Sequence, residues 1–224
     1  MQDKSALTIL KRVGTVLVAV GILDVVRMIY CIMHGASYSS SFNIFAVIAG
    51  IFLIGGSFRT ASYVHSFAIF LLSFGLTALA FALPILYPVS LALTEIRLRP
   101  GFVVSSTLDF ASVFILIWII YQLGHEAVQT EITFATGRKV NGPFSIFSGI
   151  ALGVVLVAVI AFLFNGINGK KAKAIALSQL GSGYQYAITS LNISTTSGES
   201  SVSGVVTAWN NSQIREIPVH WRTN

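Results

Sequence analysis

Five apolar stretches, at residues 13–33, 42–58, 66–89, 103–123 and 144–164, each approach the length a helix needs to cross a bilayer. The hydrocarbon core is about 30 Å thick, so a helix rising about 1.5 Å per residue needs about 20 apolar residues to span it. The stretch at 42–58 is the shortest, and Asp109 interrupts the fourth. Hydrocarbon offers no water to satisfy exposed peptide groups, and the chain shows no series of short alternating strands. A helical bundle is therefore expected rather than a β-barrel. Composition agrees: 54% hydrophobic and 10% charged residues, with a mean hydropathy of +0.80, lie outside the range of soluble domains.

The expected fold is a membrane all-α protein. A five-helix transmembrane bundle occupies residues 1–164, and a small C-terminal α+β domain occupies 165–224. Asn165-Gly166-Ile167-Asn168-Gly169 makes a flexible exit from the fifth helix. Residues 170–180, rich in Lys, Ala and Leu, predict a short helix ended by Gly181 and Gly183. Three runs of β-formers follow at 186–195, 201–209 and 214–221, separated by turn residues around Gly198 and at Asn210-Asn211-Ser212. One helix over a three-stranded antiparallel sheet is the simplest arrangement. Pro218 cannot donate to a ladder, which places the last run at an edge. A unit this small, with no disulfide, is expected to lean on the membrane, on another copy or on a partner protein.

A formal charge of +6 does not call for nucleic acid, because the Lys and Arg residues are scattered and several sit at span ends, where lipid headgroups lie. Lys4, Lys11, Arg12, Arg59, Arg138 and Lys139 fall on the side of the N-terminus, and Arg97, Arg99, Lys170, Lys171 and Lys173 on the other. The near balance is tipped by the short basic leader of the first helix, which favours the cytoplasm. The apolar run behind that leader continues to Ile32, longer than a cleaved signal core, so it reads as an uncleaved first helix. The expectation is an integral protein of a bacterial inner (cytoplasmic) membrane, with the N-terminus cytoplasmic and, after five crossings, the C-terminus outside. Cys31 is the only cysteine, which excludes an internal disulfide and a multi-thiolate metal site.

Asp24 is the sharpest position for chemistry. It lies near the middle of the first span, where a carboxylate costs about 2.5–3.5 kcal/mol unless it is paired, protonated or facing a cavity. Arg27 follows three residues later on nearly the same helix face. Asp109, near the start of the fourth span, reaches comparable depth. Asp24, Arg27 and Asp109 are thus candidates for an interhelical polar cluster: a proton or ion relay, or a neutralised pair that fixes helix register. Internal matching of Asp with Arg removes the charge that transport would exploit, and so favours the structural role. Ser106 and Asp109 also have capping-box spacing, which suits a helix N-terminus.

The histidines, His34, His65, His125 and His220, are distributed along the chain, the first three at span ends. His65 with His125-Glu126 could in principle hold a metal, but interfacial histidines are more often solvated or capping groups, so neither a metal nor a cofactor is expected. Residues 90–99, between Pro88 and Pro100, read either as an interfacial segment or as a plain loop. The small-residue pairs Ala46 and Gly50, Ala78 and Ala82, and Gly149 and Gly153 clear strips for close helix packing. No nucleophile–base pairing, phosphate loop or zinc-protease motif is present in the sequence. The expected function is that of a non-enzymatic membrane accessory or scaffold, whose C-terminal domain contacts a partner protein or a second copy through Trp209, Pro218 and Trp221. Alternatively both indoles complete the small core. The other functional reading is a small transporter or channel subunit using Asp24, Arg27 and Asp109.

Overall fold

The computed structural model describes residues 4–34, 44–196 and 199–223; of the side chains, those at 82–86, 100–109, 195–200 and 223 are outside the described set. In chain order the elements are α1 (Lys4–Met33), α2 (Ile44–Ile54), α3 (Phe58–Leu86), α4 (Val89–Leu98), α5 (Pro100–Leu123), α6 (Glu126–Thr136), α7 (Gly142–Asn165) and α8 (Ile167–Leu180). Strands β1 (Gln185–Thr196), β2 (Glu199–Trp209) and β3 (Ile214–Thr223) close the chain. They form two compact units, one from Met1–Ser73 with Leu108–Gly149, the other from Phe74–Thr107 with Ile150–Asn224.

Among the described residues three helices are long and apolar enough to cross a membrane, Lys4–Met33, Phe58–Phe81 and Gly142–Asn165, and a bent pair, Phe110–Leu123 with Glu126–Thr136, would make a fourth if it is one span. In each of the three, only 17% of the most apolar window is buried by the protein itself. Large side chains such as Ile32, Phe67, Phe147 and Phe162 are exposed. A helix apolar on every side and this little covered has the surface of a membrane span.

Five such helices were expected; of the other two stretches, 103–123 lies within helix α5, and 42–58 is helical over Ile44–Ile54 among the described residues. α2 is helical over 11 residues, about 17 Å of rise, and stops at Gly55-Gly56, where Gly56 adopts φ +80°. The described apolar stretch of α5, Phe110–Leu123, meets α6 at a 72° bend. That bend falls at Gly124 and His125, inside what reads in sequence as a simple connection. α6 forms there because Val128 and Ile132, four residues apart, bury one stripe. Glu126 meets the dipole in its first turn, and Gly137, at φ +70°, closes the last.

The core of the first unit joins α1, α2, α3, α5 and α6. Ala6, Leu10, Val13 and Leu17 form one stripe along α1, and they pack with Leu53, Phe58, Ala61, Ile119, Leu123, Val128 and Ile132. Glycines let α1 and α2 approach. A Cβ on Gly14 would stand 2.6 Å from the Gly50 carbonyl oxygen, and a Cβ on Gly50 would stand 2.6 Å from that of Gly14. Gly21 in turn faces Val47 and Ala46, so the two helices run antiparallel. The strip that Ala46 and Gly50 clear is filled by backbone, as small-residue packing requires.

In the second unit the strands form a meander of order β1-β2-β3, antiparallel throughout. A register shift between Ile188 and Ser190 interrupts the β1–β2 ladder. β3 is an edge strand and carries Pro218. α8 covers one face: the small side chains of Ala172 and Ala176 admit Ile188, Val202, Val206, Ile217 and Val219 into one buried cluster with Trp221. This is the helix-over-sheet arrangement expected of the tail. The opposite face carries Ala187 and Trp209, and both pack with Leu91 of α4. Proline sets the limits of α4. α3 passes Pro84 and ends before Pro88, and Pro100 begins α5. The segment 90–99 is therefore a helix, and it belongs to the C-terminal fold.

The reciprocal Gly14–Gly50 contact generates a prediction. Gly50→Val has no room without separating α1 from α2, and it should lower unfolding free energy in detergent by about 1–3 kcal/mol. Gly75 on α3 has nothing within 4 Å of a built Cβ, so Gly75→Ala should leave the thermal midpoint unchanged or slightly raised. Thermal denaturation of the two variants checks both outcomes.

Candidate functional site

The second unit contains the most developed polar arrangement among the described side chains, at the junction of α4 with the sheet. Leu91 and Glu95 are four residues apart on α4 and both face inward, with Leu91 fully buried and Glu95 nearly so. A buried carboxylate needs hydrogen-bond donors, and the chain supplies one from just before α4: the Tyr87 hydroxyl donates to Glu95 Oε2. Arg99, one turn along, places Nη1 3.6 Å from Glu95 Oε1 and donates to Glu216 Oε1 of β3 at 3.0 Å. Ser90, at the other end of α4, donates to Gln185 Oε1 of β1 at 3.0 Å.

These contacts fasten α4 to both edge strands. Arg99 and Glu216 are well exposed, so that pair contributes about 0–1 kcal/mol. The Tyr87–Glu95 bond is the better shielded. Burial, and then the carboxylate that accepts its hydrogen bond, raise the Tyr87 pKa well above the ordinary tyrosine range. The arrangement therefore keeps a neutral phenol donating to Glu95 throughout the physiological range. It ties the inner face of α4 to the chain just before the helix.

The cross-strand rows of this face divide into a covered and an open part. Gln185–Trp209–Ile214 and Ala187–Thr207–Glu216 lie at the α4 end. The remaining rows, Ser190–Val205–Pro218, Asn192–Ser203–His220 and Ser194–Ser201–Arg222, share the same side of the sheet. Ser190, Asn192, Ser203, Pro218 and His220 are exposed there. Of the three residues singled out in sequence as a docking set, Pro218 is on this open surface. Trp209 is buried against Leu91, and Trp221 is buried on the α8 side, with Lys171 Nζ 5.6 Å from its ring centroid. The indole Nε1 of Trp221 is buried without a hydrogen-bond partner.

In the first unit, Asp24 and Arg27 are both partly buried on α1. Asp109 falls within α5, but its side chain is outside the described residues, as is that of Ser106. His65 is buried and engages Gln129 of α6 instead of His125 or Glu126. Gln129 Nε2 donates to the Leu123 carbonyl at 2.7 Å, which fixes the amide's orientation, and lies 2.9 Å from His65 Nδ1. Since that amide nitrogen can only donate, Nδ1 accepts and the ring proton of neutral His65 sits on Nε2. This small network secures the α5–α6 bend. Beside it, Leu17, Phe45, Ala49, Phe67, Leu116 and Ile119 line an open apolar groove of about 250 Å³. Among the described residues no three His, Cys, Asp or Glu side chains gather as a metal site would need.

Sequence reasoning missed the Tyr87–Glu95–Arg99–Glu216 chain. Its one available signal was a charged pair at i, i+4, Glu95 and Arg99, within a segment bracketed by prolines. No family model matches the chain, and neither a curated protein nor a solved structure does.

Glu95→Ala should strand the Tyr87 hydroxyl and destabilise the C-terminal unit by about 1–3 kcal/mol. Glu216→Ala should cost less than about 1 kcal/mol. Urea unfolding followed by tryptophan emission separates the two. The raised Tyr87 pKa adds a pH dependence: its contribution is complete below the unfolded value of about 10 and is lost as pH rises through the higher folded value. Tyr87→Phe should abolish that alkaline loss.

Proposed function

We propose that this chain is an integral membrane accessory protein that holds a small α+β domain at the bilayer surface, where the domain contacts a partner protein or a second copy. The observation that carries this reading is the half-covered sheet face. α4 occupies one end, and the rest exposes Ser190, Asn192, Ser203, Pro218 and His220. Small polar side chains on a rigid sheet, with little conformational entropy to lose, suit recognition of another protein. The contact is with the face and not the edge. Pro218 removes an outward donor from β3, and the register shift disturbs β1, two devices that discourage strand addition.

The proposed topology keeps five crossings. Ala6 and Leu10 of α1, Phe58 of α3 and Leu123 of α5 share one core cluster. The start of α3 and the end of α5 thus lie at the N-terminal end of α1, as alternating crossings demand. The chain between α1 and α3 must return along α2 although its helix is short. An odd number of crossings with a cytoplasmic N-terminus places the domain outside, in a bacterial inner membrane. A second reading, a transporter or channel subunit, draws its support from Asp24 and Arg27, two partly buried charges within a span. It requires that Asp24→Asn abolish an ion-dependent flux while folded yield is kept; the accessory reading requires lost yield, partly rescued by neutralising Arg27 as well.

A photoreactive amino acid placed at Ser203 or His220 of the full-length protein in cells tests the accessory reading. It should give an adduct of one defined mass, heavier than the chain by a partner or by a second copy. The same probe at Ser178, on α8, should give none. No adduct from the sheet face, or equal adducts from both places, contradicts the reading.

A further inference from the structure

The helix that fastens the sheet has a second face that is exposed among the described residues. Around α4, at about 100° per residue, Val89, Leu93 and Ile96 fall within an arc of about 60°. They are 66%, 60% and 52% exposed, whereas Leu91 on the opposite side is 0% exposed. Arg97 is exposed beside the apolar arc, about 40° beyond Leu93. The sheet side is occupied by Leu91 and Glu95, so this outer stripe does not belong to the domain core.

The geometry points to α4 as an interfacial helix, with Val89, Leu93 and Ile96 inserted in the acyl boundary of the bilayer and Arg97 among lipid headgroups. The inference rests on the membrane reading above and specifies what it leaves open, namely how the sheet is carried at the surface. Two features name lipid as the occupant. Only Tyr87 and Pro88 separate α4 from α3, and only Arg99 separates it from α5, so the helix is tethered at both ends to apolar helices. The stripe also continues in kind the exposed apolar surface of α3, which includes Leu79 and Phe81. An apolar arc bordered by arginine, on a short helix with mixed faces, is the composition of a helix lying in the plane of a membrane interface. The aliphatic stem of Arg97 can follow the apolar surface while its guanidinium meets phosphate.

In this arrangement α4 is a two-sided adhesive. Its inner face is committed to Trp209 and Ala187 through Leu91, and its polar ties run to β1 through Ser90 and to β3 through Arg99. Its outer face is committed to lipid. The sheet is then held at the bilayer in a fixed orientation.

Site-directed spin labelling of the full-length protein decides the matter. Cys31, the single cysteine, is replaced by Ala, and a nitroxide is placed in turn at Leu93, Ile96, Phe162 on α7 and Ser178 on α8. The protein is reconstituted in vesicles of equal parts phosphatidylcholine and phosphatidylglycerol. Collision rates with oxygen, which concentrates in hydrocarbon, are compared with those of a water-soluble nickel chelate. Labels at Leu93 and Ile96 should resemble Phe162, favouring oxygen several-fold over nickel, while Ser178 favours nickel. If Leu93 and Ile96 behave like Ser178 while Phe162 remains oxygen-rich, α4 lies in water: the inference is overturned and the membrane reading stands. If Phe162 also favours nickel, the membrane reading fails first and takes this inference with it. Labels at Leu93 and Ile96 shielded from both reagents would show protein covering the stripe and would overturn the proposal.

Discussion

The solvent around the helices is the constraint from which the rest follows. α1, α3 and α7 bury only 17% of their most apolar windows within the protein, so most of their side chains meet whatever lies outside. Water there would leave Phe147, Phe162, Ile32 and many others exposed at roughly 25 cal/mol per Å² of apolar surface. Hydrocarbon removes that cost and imposes another, since every backbone group must then bond within its own segment. Long uninterrupted helices meet both requirements. Within hydrocarbon the hydrophobic effect no longer drives helices together, so packing falls to close backbone approach. Gly14 against Gly50 is such an approach.

The same constraint bears on the C-terminal unit from outside. A three-stranded sheet with one helix has two faces and can cover only one with its own sequence. α8 covers the side lined by Val202, Val206 and Val219, and the other side borrows Leu91 from a helix nearly a hundred residues earlier in the chain. The domain therefore does not begin at Asn165 in any physical sense, since part of its core is made between α3 and α5. A sheet so held cannot swing freely from the end of α7. This gives the Tyr87–Glu95 bond its importance: it locks the inner face of α4 while leaving the outer one free to meet a different environment.

Periodicity and composition made much of this visible in the sequence. The apolar runs of α1, α3 and α7, the short helix after Gly166 and the three strands follow from side-chain spacing and turn residues, all local signals. α6 escaped because Glu126, Gln129, Thr130 and Glu131 make its segment polar on average; its apolar stripe is only Val128 and Ile132, which matter because α1 and α3 stand opposite. The function of residues 90–99 was undecidable for a similar reason. Leu91 and Leu93 look alike in sequence, yet one is buried against Trp209 and the other is exposed. Trp209 and Trp221 could have been docking anchors or core. Burial makes them core, and strand alternation sets the face each one occupies. The Glu216 partner of Arg99 was beyond reach, because only tertiary folding brings positions so far apart together.

Extraction of membranes with alkaline carbonate tests the central claim most directly, because it strips proteins held by charge or by partners and leaves those embedded in hydrocarbon. The full-length chain should remain entirely in the sedimented membranes and be released only by detergent. Its recovery in the carbonate supernatant, without detergent, would contradict the account.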